Sequence, residues 1–266
     1  MTRFTHDKKM LEYDLNQSYP NIFCFSTTRH GGHSKGTYSS FNCNPYCGDN
    51  PENVAQNQKL LSSLLAVPPQ HLIIPHQTHE THIRIIDKNF STYSISQQTR
   101  LLEHVDALIS NIPGECLCIS TADCVPILCY DTQRHAIAAI HAGWRGTVQR
   151  IAQKTVEAMN QTYGTDPKDL VVCIGPSISL KAFEVGEEVY EAFLQAGFPM
   201  SQIASRSQKW HLDLWEANRI QLLEAGVPPK NIELSGICTF QQHEDFFSAR
   251  RQGLYSGRIL SGIILL

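Results

Sequence analysis

Charge is scarce in this chain, and neither sign dominates it. Charged residues make up 18% of 266 and the formal net charge is -3, so no global basic field points to nucleic acid or a membrane surface. An acidic ligand would have to be met by local arginines. The nine cysteines are odd in number and lack the tight spacing of a small secreted disulfide framework. The opening MTRFTHDKKMLEYDLNQ lacks the apolar core of a signal peptide, which leads us to expect a reducing, cytoplasmic compartment. The last apolar stretch, Ile259 to Leu266, is broken by Ser261-Gly262 and falls far short of the ~20 residues that cross a bilayer. It reads as a final buried strand. No internal repeat and no linker interrupts the chain, so residues 1–266 are expected to form one domain, with 1–19 a surface arm or edge strand. Hydrophobic residues at 42% are enough for a large core.

What the chain does have is concentrated between Thr121 and Thr147, TADCVPILCYDTQRHAIAAIHAGWRGT. The apolar runs Cys116 to Ser120, Val125 to Tyr130 and Ala136 to Ile140 read as buried central strands. Asp123-Cys124 follows the first run, and His141 closes the third. A soft thiolate and an imidazole delivered from adjacent strands suit zinc, and a third ligand must come from elsewhere. The strand His71 to Pro75 ends in His76-Gln77-Thr78-His79, and its continued alternation would place Gln77 and His79 on one face. His79 is the preferred third ligand, with Gln77 beside it as a hydrogen-bonding group; His76 and His82 are read as bystanders.

Other signals set the frame. Asn21 to Thr27 reads as a strand running into Arg29 and a glycine pair, a tight loop that can hold Arg29 near a ligand or leave it on the surface. Cys43 and Cys47 have a metal-compatible spacing but no second pair, so two buried thiols are favoured. Asn50-Pro51 starts a helix. The segment Asp87 to Glu103 reads as a polar, exposed excursion. Asp106, within the expected short strand Val105 to Ser110, either orients a neighbour or makes a turn. Helical periodicity runs from Gly146 to Gly164, which makes Gly143-Trp144-Arg145-Gly146 a strand-to-helix turn able to meet an anion. Further helices are expected before Gly197 and after Asp213, with strands at Leu170 to Ile174 and Asn231 to Thr239.

Taken together, STTRHGG, SSFNCNPYCGDNPENVAQN, QTH, DALIS, TADCVPIL, AAIHAGWRGT, IGPSIS with FEVG, HLDLWEANRIQLLEAGV, CTF and FFSARR resemble the laccase-domain or polyphenol-oxidase-like proteins. That family is regarded as zinc-dependent purine nucleoside phosphorylases that also deaminate adenosine. The resemblance implies a single α+β domain with mixed sheets covered by helices, related in architecture to bacterial toxins that deamidate glutamine. It implies metal ligands at His79, Cys124 and His141, whose separations match no zinc-finger pattern. Three protein ligands would leave one position open, as in catalytic sites. The chain departs from the family pattern at Glu80, where Gly is common, and at Ala249, where Tyr is common.

The implied activities are phosphorolysis of adenosine, inosine and methylthioadenosine, and deamination of adenosine, on small-molecule purine nucleosides and phosphate. Cys124, Asp123 and His141 would be catalytic, with Asp123 either an acid-base group or an orienter of its neighbour. Arg29, Asn42, Gln77, Arg145 and Arg250 would contact phosphate or nucleoside, since a guanidinium fork matches phosphate oxygens. Zinc is the expected metal, with copper the lesser alternative. Three rivals remain: a metal-independent cysteine hydrolase using Cys124 and His141, a copper-dependent phenol oxidase, and a non-enzymatic zinc-binding protein. Twelve histidines without a repeated His-x-His set count against the phenol oxidase.

Overall fold

The computed structural model describes residues 2–266. Three sheets are built from strands that cross repeatedly between them. The first sheet has the spatial order β1 (Arg3–Phe4), β2 (Met10–Glu12), β3 (Ile22–Thr27), β15 (Ile259–Leu265), β7 (Cys116–Thr121) and β4 (Leu72–Ile73). The second runs β14 (Ile232–Leu234), β10 (Leu170–Ile174), β8 (Val125–Asp131), β9 (Ala136–Ala142), β6 (Ala107–Ser110) and β5 (Ile83–Ile86). Both are mixed: β4 pairs parallel with β7 and β5 with β6, whereas β8 and β9 are antiparallel. A small third sheet joins β11 (Glu184–Val185), β13 (Trp210–Leu212) and β12 (Ala204–Arg206).

Side-chain alternation explains the layering. Along β7, Leu117 and Ile119 pack with Leu128 and Tyr130 of β8 and Ile137 and Ala139 of β9 in the core between the two large sheets. Cys116 and Cys118 point the other way, toward Leu61 of helix α2 (Pro51–Leu65). Ile127 and Cys129 of β8 likewise turn outward, onto α5 (Ile151–Tyr163) and α8 (Leu214–Glu224). Strands buried on both faces need continuous apolar runs rather than alternation with polar residues. The central strands are therefore recognisable in the sequence. The result is an α+β domain of two central sheets covered by helices on both outer faces.

Helix starts follow their caps. The Asn50 side chain accepts hydrogen bonds from the amides of Glu52 and Asn53 with Pro51 at the first turn, and Asp213 accepts from Glu216 at the head of α8. The arm at 1–19 is docked rather than free: β1 and β2 form the edge of the first sheet, α1 (Leu15–Ser18) follows, and Met10, Leu11, Tyr13 and Leu15 are buried. Residue 1 of that arm lies outside the described residues. The polar excursion contains a helix, α3 (Ile95–Leu101), started by a reciprocal Ser94/Gln97 capping box and flanked by buried Phe90 and Leu102. The single helix expected after Gly146 is two, α4 (Trp144–Val148) and α5, because Arg150 adopts a left-handed conformation, φ 65°. Its guanidinium lies over Phe198 and bonds Glu224. The remaining helices, α6 (Glu187–Gln195), α7 (Met200–Ile203) and α9 (Ala249–Gln252), lie in the C-terminal half. Among the described residues no helix is long and apolar enough to cross a membrane.

Candidate functional site

The site forms where β7 leaves the first sheet and the chain enters the second. Asp123, with φ 88°, turns the chain, and Cys124 stands immediately before β8. β8 pairs with β9 so that Pro126 faces His141, which brings the imidazole beside the thiol by register alone. The next neighbour, β6, places Asp106 at the edge of β9, where the His141 amide donates to the Asp106 carbonyl at 2.8 Å. Asp106 is fully buried, and its Oδ1 lies 2.7 Å from His141 Nδ1.

The same carboxylate organises the third residue. The amides of Thr78, His79 and Glu80 donate to Asp106 at 3.3, 3.0 and 2.8 Å. The segment is therefore a turn wrapped on a carboxylate, with His79 at φ 64°, and not the continued strand expected from alternation. A non-glycine residue in this region is uncommon and must be held there by its surroundings. Gln77 supplies a second restraint: its Nε2 donates to the Ser120 carbonyl at 2.9 Å and its Oε1 accepts from the Ser120 amide at 2.7 Å.

Ligand atoms of His79, Cys124 and His141 lie within 4.8 Å of one another, and the two imidazole rings meet edge-on at 4.8 Å. Gly143 makes room for them: a Cβ there would sit 3.0 Å from His79 Cδ2 and 3.1 Å from Cys124 Sγ. The donor set of two imidazoles and one thiolate fits zinc or copper. Asp106 on His141 Nδ1 fixes the ring and leaves Nε2 for a ligand, the outer-shell arrangement usual for metal-bound histidine. Burial alone pushes the Cys124 thiol up, but the charge and hydrogen bond of His141, with the hydrogen bond of His79, outweigh it and hold the thiol at about 6. Burial disfavours the charged form of His141, yet Cys124 and Asp106 together raise it to about 9. A thiolate ready at neutral pH is the form that binds metal.

These residues form the floor of a cavity of about 530 Å³, within the usual range of small-molecule sites. Trp144, Ile178 and Phe183 provide apolar wall, and Tyr46, His76, Arg250 and Arg258 line the remainder. Asp123 also lines the cavity, with Oδ1 accepting from Thr239 Oγ1 and Oδ2 from the Arg250 amide, both at 2.7 Å. It thereby holds the start of α9 over the floor.

The expected substrate contacts separate into two groups. Gln77 and Arg250 reach the cavity, and Arg250 lies over the Phe183 ring with one nitrogen donating to the Glu184 carbonyl. Arg29 does not line it, because its guanidinium donates to the carbonyls of Ser39 and His243 and packs on Phe247. Arg145 is exposed and lies over Trp144. Asn42 is fully buried behind the wall, bonded to Asp49 and to the Arg258 amide. Cys43 is buried as expected; Cys47 is half-exposed and lines the cavity. Ala249 lines it too, whereas Glu80 is exposed away from it.

Sequence patterns leave one supporting residue open and two wall residues unmarked. Asp106 takes the orienting role. Arg258 follows Ser256-Gly257 ahead of the final strand, and His76 stands three residues before His79. Nothing in their local pattern distinguishes them from surface residues, and neither is expected at the site from sequence.

Comparison with known proteins agrees with this architecture. Residues 23–266 match the family described as multi-copper polyphenol oxidoreductase laccase. A purine nucleoside phosphorylase of Bacteroides thetaiotaomicron is 55% identical over 100% of this chain and 99% of its own. Adenosine deaminase RL5, from an unknown prokaryotic organism, is 42% identical over 94% of this chain and 96% of its own. The crystal structure of the Bacillus licheniformis hypothetical protein YfiH superposes with a TM-score of 0.92 at 28% identity, covering 100% of this chain and 99% of that one. With the match running from β3 to the last residue, the chain belongs to the multi-copper polyphenol oxidoreductase laccase family.

Proposed function

We propose that the protein is a zinc-dependent purine nucleoside phosphorylase that cleaves adenosine, inosine and methylthioadenosine with phosphate to free base and ribose 1-phosphate, and that also deaminates adenosine to inosine. The observation that carries this reading is the His79–Cys124–His141 cluster on the floor of a nucleoside-sized cavity. The relatives named for these two reactions support it.

When bound, zinc supplies a Lewis acid at the cavity floor. Cys124, His79 and His141 hold it, and Asp106 fixes His141 from behind. Asp123, both of whose oxygens already accept hydrogen bonds, positions Cys124 and Arg250. The guanidinium groups of Arg250 and Arg258 pair with no carboxylate among the described residues. Arg258 donates to the carbonyls of Leu254, Ser256 and Gly257, whereas Arg250 gives a single nitrogen to the Glu184 carbonyl and keeps donors to meet the dianionic phosphate, which suits the planar guanidinium fork. Trp144, Ile178 and Phe183 exclude water from a flat base.

A second reading draws on one specific observation. Without metal, Asp106, His141 and Cys124 form a hydrogen-bonded line ending in a thiol of lowered pKa, the arrangement of a cysteine hydrolase. It gives His79 no part. A multicopper phenol oxidase needs several ligand sets, and the described residues offer one three-ligand cluster.

The test is product analysis with adenosine. Adenine and ribose 1-phosphate formed only when phosphate is present, with inosine formed either way, is the expected result. No conversion of adenosine under either condition would end this reading and turn the search to amide or ester substrates for Cys124.

A further inference from the structure

One wall of the cavity carries a histidine outside the metal cluster. His76 Nδ1 lies 2.7 Å from Glu103 Oε2, and its ring stacks on Tyr46 at 4.6 Å with an interplanar angle of 21°. Its backbone is fixed on both sides, the amide donating to the Leu102 carbonyl at 3.0 Å and the carbonyl accepting from the Val105 amide at 3.2 Å. Tyr46 and His76 both line the cavity. The groups facing the imidazole are thus Glu103, Tyr46 and, with ring centres 6.3 Å apart, His104. A carboxylate on Nδ1 sets the tautomer, so Nε2 is the nitrogen left to exchange a proton.

Phosphorolysis needs such a group. As phosphate oxygen bonds to the ribose C1′, the C1′–N9 bond breaks and its electron pair goes to the purine, which leaves as an anion unless it is protonated. Of the side chains lining the cavity, His79 and His141 are assigned to metal, and Asp123 is engaged through both oxygens. His76 is the remaining cavity-lining imidazole, the side chain best suited to general acid-base work near neutrality.

We propose that His76, held by Glu103 and backed by Tyr46, is the general acid that protonates the departing purine during phosphorolysis. It gives its proton to the purine and regains one from the phosphate that has bonded to C1′, so no further reagent is needed. His76 is a catalytic residue in this scheme and Glu103 a positioning residue. The inference rests on the phosphorylase reading above.

The test compares inosine with 7-methylinosine, whose cationic purine departs without needing a proton. In the metal-loaded protein, H76N and H76F should each lower kcat for phosphorolysis of inosine by about 100-fold or more, with a loss on 7-methylinosine at least tenfold smaller. H76F keeps a ring against Tyr46, so its failure would trace to the missing proton rather than to the stack. E103Q should lower kcat on inosine and spare 7-methylinosine, with KM for both unchanged, since the lost carboxylate no longer fixes the tautomer and direction of the imidazole. Zinc content and thermal melting of each variant establish that it is folded. Equal losses on both nucleosides, or a rise in KM alone, would overturn the proposal and make His76 part of the binding wall. An H76F protein with wild-type kcat on inosine would overturn it as well. If wild-type protein cleaves neither nucleoside with phosphate, the phosphorylase reading itself fails, and that outcome is distinct from the others.

Discussion

The floor and the rim of the cavity are built in opposite ways. The floor hangs on strand register: β6, β9 and β8 lie side by side, so Asp106, His141 and Cys124 meet without any long side chain having to choose a path. The rim is assembled from distant loops, with Tyr46 and Cys47 from one, Arg250 at α9, and Leu254 and Arg258 from the segment before β15. Leu254 and Tyr255 are 77% and 78% exposed, whereas Asp106 is fully buried. A buried hydrogen-bonded carboxylate is costly to disturb, and a solvated rim tolerates change. In the proposed reading the metal chemistry belongs to the floor, and phosphate contact and the proton donor His76 belong to the wall and rim.

Substitutions at the two levels should therefore differ in kind. The largest effect is expected from Cys124→Ala, which removes the thiolate ligand: metal content should fall to background and both purine reactions by at least about 1,000-fold, with the circular dichroism spectrum unchanged. Full phosphorolysis by this variant would show that the floor is not the reaction centre. Asp106→Asn comes next. It keeps the shape but weakens the acceptor for His141 and for three amides, and should cost about 10–100-fold in metal affinity or activity, read by competition with a chelating dye.

At the rim, Arg250→Ala should raise the phosphate concentration needed for half-maximal phosphorolysis by about tenfold or more, the equivalent of one charge-assisted hydrogen bond, and should affect deamination less. Equal losses in both reactions would place Arg250 on the nucleoside. The metal-free protein offers a pH test of the floor. Because the Cys124 thiol is held at about 6, its alkylation rate should be near its plateau at pH 7 and fall about tenfold per unit well below pH 6, as the thiolate is protonated. A rate still climbing between pH 8 and 9 would contradict the His141–Cys124 contact. The smallest kinetic effect is expected from Arg29→Ala. It strips the donors from the Ser39 and His243 carbonyls, so stability should drop by about 1–3 kcal/mol in urea unfolding while KM for phosphate stays near wild type.

The same division governs how much of the molecule is legible in its amino-acid sequence. Cys124 and His141 stand at the ends of apolar runs, and runs of that kind become neighbouring strands, so their meeting follows from pattern alone. His79 is reached too, although for a different backbone reason: the turn that carries it is wound around Asp106, a long-range contact that local alternation does not encode. Three of the five expected contacts, Arg29, Asn42 and Arg145, have their polar groups committed to the scaffold or lie away from the cavity. Arg258 and His76, which do line it, carry no local mark. Which arginine turns inward depends on where loops separated by about 200 residues, such as Asn42 and Arg258, come to rest. Helix α3 escapes the hydrophobic pattern because its seven residues ISQQTRL are almost wholly exposed, which leaves its capping box as the sole signal.

The most direct test of the account is removal and return of the metal. Purified protein should carry about one zinc per chain at a three-ligand open site; chelation should abolish both adenosine phosphorolysis and deamination, and zinc alone should restore them in proportion to the metal bound. Chelated protein, shown to be zinc-free, that still converts adenosine at the full rate would contradict the claim that His79, Cys124 and His141 act as a metal centre.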